Sequence, residues 1–321
     1  MKKWIIPIAV LATAIPFTAS AEKIMVGGAS ADGEYNRTLI PAFSSQLQKD
    51  GTKYITEAVS TAGSVECVNK LLSGELNFCV AQKDIAAAAY MEDQDGDESL
   101  GVYGNLGLEA LLCAVKVGGR FNGYFDLADD HKEPLKVSVG KKGGGTEGTI
   151  MFLDRQDDGF QEYDKDTGTG NVRLMRKKSL VAELGSLASG NRDAVCRVIS
   201  PNPENEFLRL VADNKHLKFI NMVNSDWKHY EINGQKIYDF AEVPITPGFV
   251  GFGSDKVTTL VTWSTLVAHT ENAPEDQLNA MARAALQDGL VPLDSLAAKA
   301  NALYKEVLDI SSFVVKKFSS K

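Results

Sequence analysis

Polar and apolar positions change most sharply between Thr61 and Asp84. Thr61, Gly63 and Ser64 make a small, hydroxyl-bearing turn of the kind that opens a helix. Val65, Val68, Leu71 and Leu72 then recur at helical spacing until Gly74. Phe78 to Ala81 is an unbroken apolar run short enough for a buried strand, and Gln82 and Asp84 place polar groups at its carboxyl end. That edge is where open α/β sheets bind their ligands. Applied to the whole chain, the pattern predicts strands at 24–27, 54–59, 78–81, 110–117, 135–139, 195–199 and 259–268. Helices are predicted at 36–49, 64–72, 146–155, 180–187, 205–213 and 274–287, with a further helical region over 293–317.

Short strands alternating with helices predict α/β lobes with mainly parallel sheets. The strand at 110–117 ends in Gly118-Gly119, and a second glycine-bearing passage runs from Pro244 to Gly253. These read as two interlobe crossings, which divide the chain into a discontinuous lobe of 22–118 plus 246–321 and a continuous lobe of 119–245. No internal repeat is visible.

The N-terminus adds a destination. Lys2 and Lys3 precede an apolar run from Trp4 to about Phe17, and Ala19-Ser20-Ala21 supplies small residues for cleavage. Residues 1–21 are therefore expected to be a secretory signal peptide, leaving an exported, periplasmic chain. The 34 basic and 42 acidic side chains give a net charge of −8, which becomes −10 when Lys2 and Lys3 are removed. Such a surface disfavours nucleic acid and anionic membranes. An anionic ligand is still compatible with it, because a local cluster of N–H donors decides that.

Three segments carry candidate chemistry. The first is the Thr61–Asp84 stretch, with Ala62 between Thr61 and Gly63. The second is Gly28-Ala-Ser-Ala-Asp-Gly33-Glu-Tyr35, followed by Asn36. The third is Val137-Ser-Val-Gly140-Lys-Lys-Gly143-Gly144-Gly145-Thr146, a valine-rich strand, a glycine turn and a helix start. Backbone N–H groups in such a turn can converge on a carboxylate, with Thr146 as helix cap and Lys141 and Lys142 adding positive charge. The bland reading is a flexible turn with solvated lysines. No Gly-Lys-Ser/Thr closes the run, so it is not a P-loop.

In this order the three segments resemble periplasmic solute receptors of the TAXI family, which feed tripartite ATP-independent periplasmic (TRAP) transporters. The family pattern is a Thr-Gly-Gly-Ser turn, a helix ending in Leu-x-x-Gly and a strand closed by Gln-x-Asp. It is matched here by Thr61, Gly63 and Ser64, then Leu71 and Gly74, then Gln82 and Asp84. Ala62 replaces a glycine, Cys67 stands where asparagine is frequent, Asn36 takes the second place of a tyrosine pair, and Gly144 takes the place of a serine. Leu187-Ala-Ser-Gly190-Asn-Arg-Asp193-Ala194 resembles a fourth family segment, with Asp193 as a structural cap and Asn202 as a lesser site candidate.

The resemblance implies a two-lobed periplasmic-binding-protein fold, type II-like, closing over a ligand. It implies a monomeric receptor for a small anionic metabolite, with glutamate, 2-oxoglutarate or a related dicarboxylate as the leading class, and TRAP membrane subunits as partners. The ligand-binding residues it implies are Ser30, Tyr35, Thr61, Ser64, Gln82, Gly145 and Thr146. Hydroxyls and N–H groups would hold carboxylate oxygens, Gln82 would read a polar group, and the Tyr35 ring would lie against an aliphatic stem. No arginine lies in these motifs, so no bidentate clamp is expected. A receptor that signals to a sensor kinase is the first alternative and an exported hydrolase the second.

Other chemistry finds little support. The acidic runs at 92–98 and 154–166 place Gly104 and Lys165 where a calcium loop needs glutamate. Residues 158–170 are expected to form an insertion. There is no Gly-x-Ser-x-Gly, the four histidines stand singly, and neither a cofactor nor a metal is expected. Trp227 is expected to pack, with Tyr230 beside it as a possible cleft edge. Cys67, Cys79, Cys113 and Cys196 all lie in apolar surroundings. Buried thiols and a single bridge are equally compatible with them, and three full pairings are possible.

Overall fold

The computed structural model describes residues 21–290, apart from 95–98, 130, 177–178, 202–204, 233–234, 246–254 and 288–289. Most of the expected signal peptide, the helical region at 293–317, Asn202 and most of the Pro244–Gly253 passage lie outside the described residues. The architecture is α/β. The elements run β1 (Glu22–Gly27), a turn of π-helix (Tyr35–Leu39), α1 (Ile40–Lys49), β2 (Tyr54–Val59), α2 (Ser64–Leu72), β3 (Phe78–Gln82) and α3 (Lys83–Gln94). They continue with β4 (Leu100–Lys116), α4 (Tyr124–Ala128), β5 (Leu135–Gly140), α5 (Gly145–Gln156), β6 (Val172–Arg176), α6 (Leu180–Ala188) and β7 (Ala194–Ile199). Then come α7 (Glu206–Ala212), β8 (Leu217–Ile220), β9 (Glu231–Ile232), β10 (Gln235–Lys236), β11 (Asp239–Pro244), β12 (Lys256–His269) and α8 (Glu275–Ala285).

One sheet runs in the order β2-β1-β3-β12-β4-β7-β5-β6, with β11 added on β12 and β8 on β4. β1, β2 and β3 are parallel, as are β5, β6 and β7, and the long antiparallel strands β4 and β12 stand between the two groups. The first half of β4 pairs with the second half of β12, from Leu100↔His269 to Glu109↔Thr262. Past Glu109, β4 turns to β7 and β8, while β12 before Thr262 pairs with β11. The chain therefore passes between the halves of the sheet within these strands. Gly118-Gly119 does not mark the first passage. It forms a turn after β4 has already paired with β8, because the strand is continuous through Ala110 to Lys116.

Helices cover each half by burying their apolar stripes. Phe43 and Leu47 of α1 and Leu278 and Met281 of α8 share a core with β1 and β3. Leu184 and Leu187 of α6 and Phe207 and Val211 of α7 pack on β4, β7 and β12. A third core lies between, where Val68 and Leu71 of α2, Ile85 of α3 and Ile150 and Leu153 of α5 come together. Helices of both halves meet there. Fully burying a side chain of this kind contributes about 1.5–3 kcal/mol, so the seam is held mainly by apolar contact.

All four cysteines are bridged: Cys67 of α2 to Cys79 of β3, and Cys113 of β4 to Cys196 of β7, which stand opposite each other in the antiparallel ladder. Neither buried thiols nor a single bridge describes this arrangement. The sequence separations are 12 and 83 residues. Loop-closure entropy then assigns about 3 kcal/mol to the first bridge and about 4.5 kcal/mol to the second. Replacing Cys113 and Cys196 together by serine is expected to lower unfolding stability more than replacing Cys67 and Cys79, as measured by denaturant unfolding of each double variant. The reverse order would show that native-state contacts, and not chain entropy, dominate.

Candidate functional site

α2 and α5 begin beside each other although they belong to different halves of the sheet. α2 follows β2, and its cap residue is Gly63. α5 follows β5, and its cap residue is Gly144. Glu66 N donates to Gly143 O at 3.2 Å, joining the two loops directly. Gly63, at φ +155°, leaves no room for a side chain, since a Cβ there would stand 2.7 Å from Gly144 Cα. The first intrahelical bonds are Cys67 N to Gly63 O and Gly148 N to Gly144 O. The N–H groups before them have no intrahelical acceptor and carry the positive ends of two helix dipoles.

A cavity of about 460 Å³ opens at this junction. Its lining includes Ser30, Tyr35, Ser64, Gln82, Gly145 and Thr146, so six of the seven expected site residues lie around one space. Thr61 does not line it. Its hydroxyl is turned into the loop, donating to Gly28 O and standing 3.0 Å from Gly63 O, which holds the β1 and β2 loops together. Several expected roles also change. Tyr35 is buried and donates its hydroxyl to Glu109 Oε1 at 2.5 Å, which fixes the ring in the cavity wall. Thr146 is not the cap of α5, because its hydroxyl accepts from Val198 N at 2.9 Å and pins the helix to β7. The α5 turn is secured instead by Glu147, which accepts from Gly143 N at 2.6 Å and pairs with Arg176.

Gln82 occupies the centre of a buried chain. Its N–H donates to Ser64 Oγ at 3.1 Å and its side-chain amide to Thr149 Oγ1 at 3.0 Å. Thr149 donates to Asp84 Oδ2 at 2.5 Å, and Tyr238 donates to the same oxygen at 2.8 Å. Asp84 is thus a structural acceptor that ties α5 and the segment before β11 to the β3–α3 corner. Asn36, in the place of the second tyrosine, donates to Ala29 O at 2.8 Å and Ser60 Oγ at 3.2 Å and fixes the first loop.

Two charged groups in the lining had no motif to announce them. Glu109 sits on β4 and Arg197 on β7. Each is a single charge inside an apolar strand, and only an unbroken strand reading through 100–116 would have marked Glu109 as inward-facing. Arg197 brings an arginine to the lining from outside the three motifs, and it is already ion-paired with Glu183, whose side chain is 1% exposed. Burial pulls Arg197 down to about 10, which leaves it charged at neutral pH. Burial pushes Glu109 up to about 8, with Asp84 and Glu34 adding repulsion against the Tyr35 hydrogen bond. Lys83, over the Trp263 ring at 5.1 Å, falls to about 8 through burial.

Trp227 and Tyr230 lie away from the cavity. The Trp227 indole donates to Asp157 at 2.6 Å, where Tyr124, Asn224 and Gly159 N also converge, so Asp157 anchors the acidic segment as a hydrogen-bond acceptor. Asp193 accepts from Lys136 N at 2.9 Å, a structural role. No cluster of potential metal ligands occurs among the described residues. Nor is any helix among them long and apolar enough to cross a membrane.

No protein-family model and no curated protein matches this chain. Among solved structures, it is similar to the substrate-binding protein of an amino acid ABC transporter at 11% identity, over 89% of this chain and 98% of that one, with a TM-score of 0.45. It is similar to the GluR0 ligand-binding core from Nostoc punctiforme in complex with L-glutamate at 10% identity, over 89% and 99%, with a TM-score of 0.47. It is also similar to XAC2383 from Xanthomonas citri bound to chloride ion at 10% identity, over 89% and 99%, with a TM-score of 0.49. No functional assignment rests on likenesses of this size.

Gly145 makes the central contact possible, since a Cβ there would overlap Gln82 Oε1. Gly145→Ala is expected to cost about 1–3 kcal/mol through this overlap. In a Gln82→Ala background the same change should cost under about 1 kcal/mol. Urea unfolding of the four proteins in this cycle measures the coupling, and equal costs in both backgrounds would rule out the overlap as the cause.

Proposed function

We propose that the chain is an exported solute-binding receptor that captures a small carboxylate-bearing metabolite in this cavity. The observation that supports it best is the meeting of two helix N-termini, one from each half of the sheet, on one open cavity. A carboxylate placed there accepts from backbone N–H groups that helix geometry leaves unpaired, with Lys141 at the rim. An acidic protein thereby acquires a local anion site without a dedicated arginine clamp, because Arg197 is compensated by Glu183.

The two halves act as lobes in this reading, with the passage between them along β4 and β12 and closure over the ligand as the working motion. The ligand shifts the protein towards the closed arrangement only by the extra affinity it has for that arrangement. The resemblance of the site segments to TAXI receptors gives the rest of the proposal. The mature chain resides in the periplasm as a monomer. Its leading ligands are glutamate, 2-oxoglutarate or a related dicarboxylate, and it presents them to TRAP membrane subunits.

Thermal and denaturant unfolding of the mature chain from Glu22, refolded to remove bound ligand, tests the reading against amino acids, dicarboxylates, 2-oxoacids, sugars and polyamines. A true ligand at ~100 times its dissociation constant adds about 2.7 kcal/mol. Lys141→Glu, at the cavity rim, is expected to weaken binding of a carboxylate ligand by roughly tenfold while leaving unfolding of the empty protein little changed. A panel in which only sugars or polyamines stabilise the protein would defeat the carboxylate reading.

A further inference from the structure

The charges around the cavity are unevenly satisfied. Asp32, Glu34 and Glu109 face Lys141 and Arg197 across it, and Arg197 already has Glu183. Glu109 is 6% exposed, yet it belongs to the lining. Its Oε1 accepts the Tyr35 hydroxyl at 2.5 Å. The charged groups acting on it are Glu34 and Asp84, both acids, and its other titratable neighbour is the Tyr35 phenol. A buried carboxyl in the wall of a ligand cavity, with only acids acting on it, stays uncharged until a cation is brought beside it.

From this placement we infer that Glu109, oriented by Tyr35, is the subsite that reads a protonated amine on the ligand, so that the receptor takes an α-amino acid in preference to its amine-free analogues. The inference rests on the receptor reading above and narrows its ligand class. A carboxylate at the helix N-termini and an ammonium at Glu109 use both poles of the cavity. An amine-free dicarboxylate satisfies the first pole and leaves Glu109 among acids. Glu109 is then a specificity residue, and Tyr35 a positioning residue that acts through it.

The protonation of Glu109 gives this a distinctive signature. Burial holds it protonated up to about pH 8 in the empty cavity. An ammonium favours the ionised form, so binding at pH 7 expels a proton from Glu109 to solvent. The sign is fixed: affinity for an amino acid rises as pH rises towards 8, by up to roughly tenfold per unit. A ligand that took a hydrogen bond from protonated Glu109 would behave oppositely and weaken above that range.

Calorimetric titration of the mature protein with L-glutamate, glutarate and 2-oxoglutarate at pH 6, 7 and 8, in buffers of different ionisation heat, tests this. If another amino acid stabilises the protein more in the unfolding panel, it and its amine-free analogue take their places. The expected result is at least tenfold tighter binding of the amino acid, release of close to one proton at pH 7, and affinity increasing with pH. Glu109→Gln, which keeps an acceptor for Tyr35, should remove the proton release and most of the preference for the amine. Should that variant not fold, the proton count and pH slope of the unaltered protein decide alone. Equal or tighter binding of the amine-free ligand, or proton uptake, overturns the inference while leaving the receptor reading intact. If no carboxylate of any kind binds, the receptor reading falls first and this inference with it.

Discussion

Everything in this fold depends on two strands being shared. β4 and β12 each serve one half of the sheet along part of their length and the other half along the rest, and they do so side by side at Glu109 and Thr262. A strand that changes partners must keep its hydrogen-bond ladder intact through the change, so it has to remain extended and inward-packed there. That requirement buries Glu109, which an isolated sheet edge would have exposed. It also sets the β2–α2 and β5–α5 corners facing each other, because each parallel group is attached to the same central pair. The anion-accepting pole and the buried acid are thus two products of one topological arrangement.

Closing the seam creates an electrostatic cost that the polar network offsets. Asp84 is fully buried and burial raises it, yet Thr149, Tyr238 and Ile85 N all donate to it. Gln82 extends this chain through Thr149 to the lip of the cavity. Buried networks of this kind stabilise only when every member is satisfied. The site wall is therefore held by a continuous hydrogen-bonded chain where it includes Gln82 and Ser64.

Local signals in the sequence revealed the parts of this arrangement that are made locally. α2 and β2 occupy the predicted ranges because hydrophobic spacing, a hydroxyl-rich start and a glycine stop all agree. β4 was legible only from residue 110, since Gly101, Gly104 and Gly107 break the apolar pattern and a bulge shifts its register against β12. α3 was invisible because it starts on Lys83 with no intervening turn and is rich in alanine. Six site residues could be gathered from three loops by their order. Glu109 and Arg197 could not, because a lone charge in an apolar run has meaning only once its neighbours in space are known. Thr61 shows the converse, a motif residue whose hydroxyl is consumed in building the loop.

The pattern of the disulfides has a bearing on how the chain is made. Cys67 joins Cys79, and Cys113 joins Cys196, so the first cysteine pairs with the second and the third with the fourth. Each bridge also stays within one half of the sheet. A chain oxidised in order from its N-terminus reaches the native pairing directly. A fast oxidant suffices for that order, and no isomerase is needed to correct crossed pairs. The halves can be covalently finished one after the other while the seam between them is still unmade.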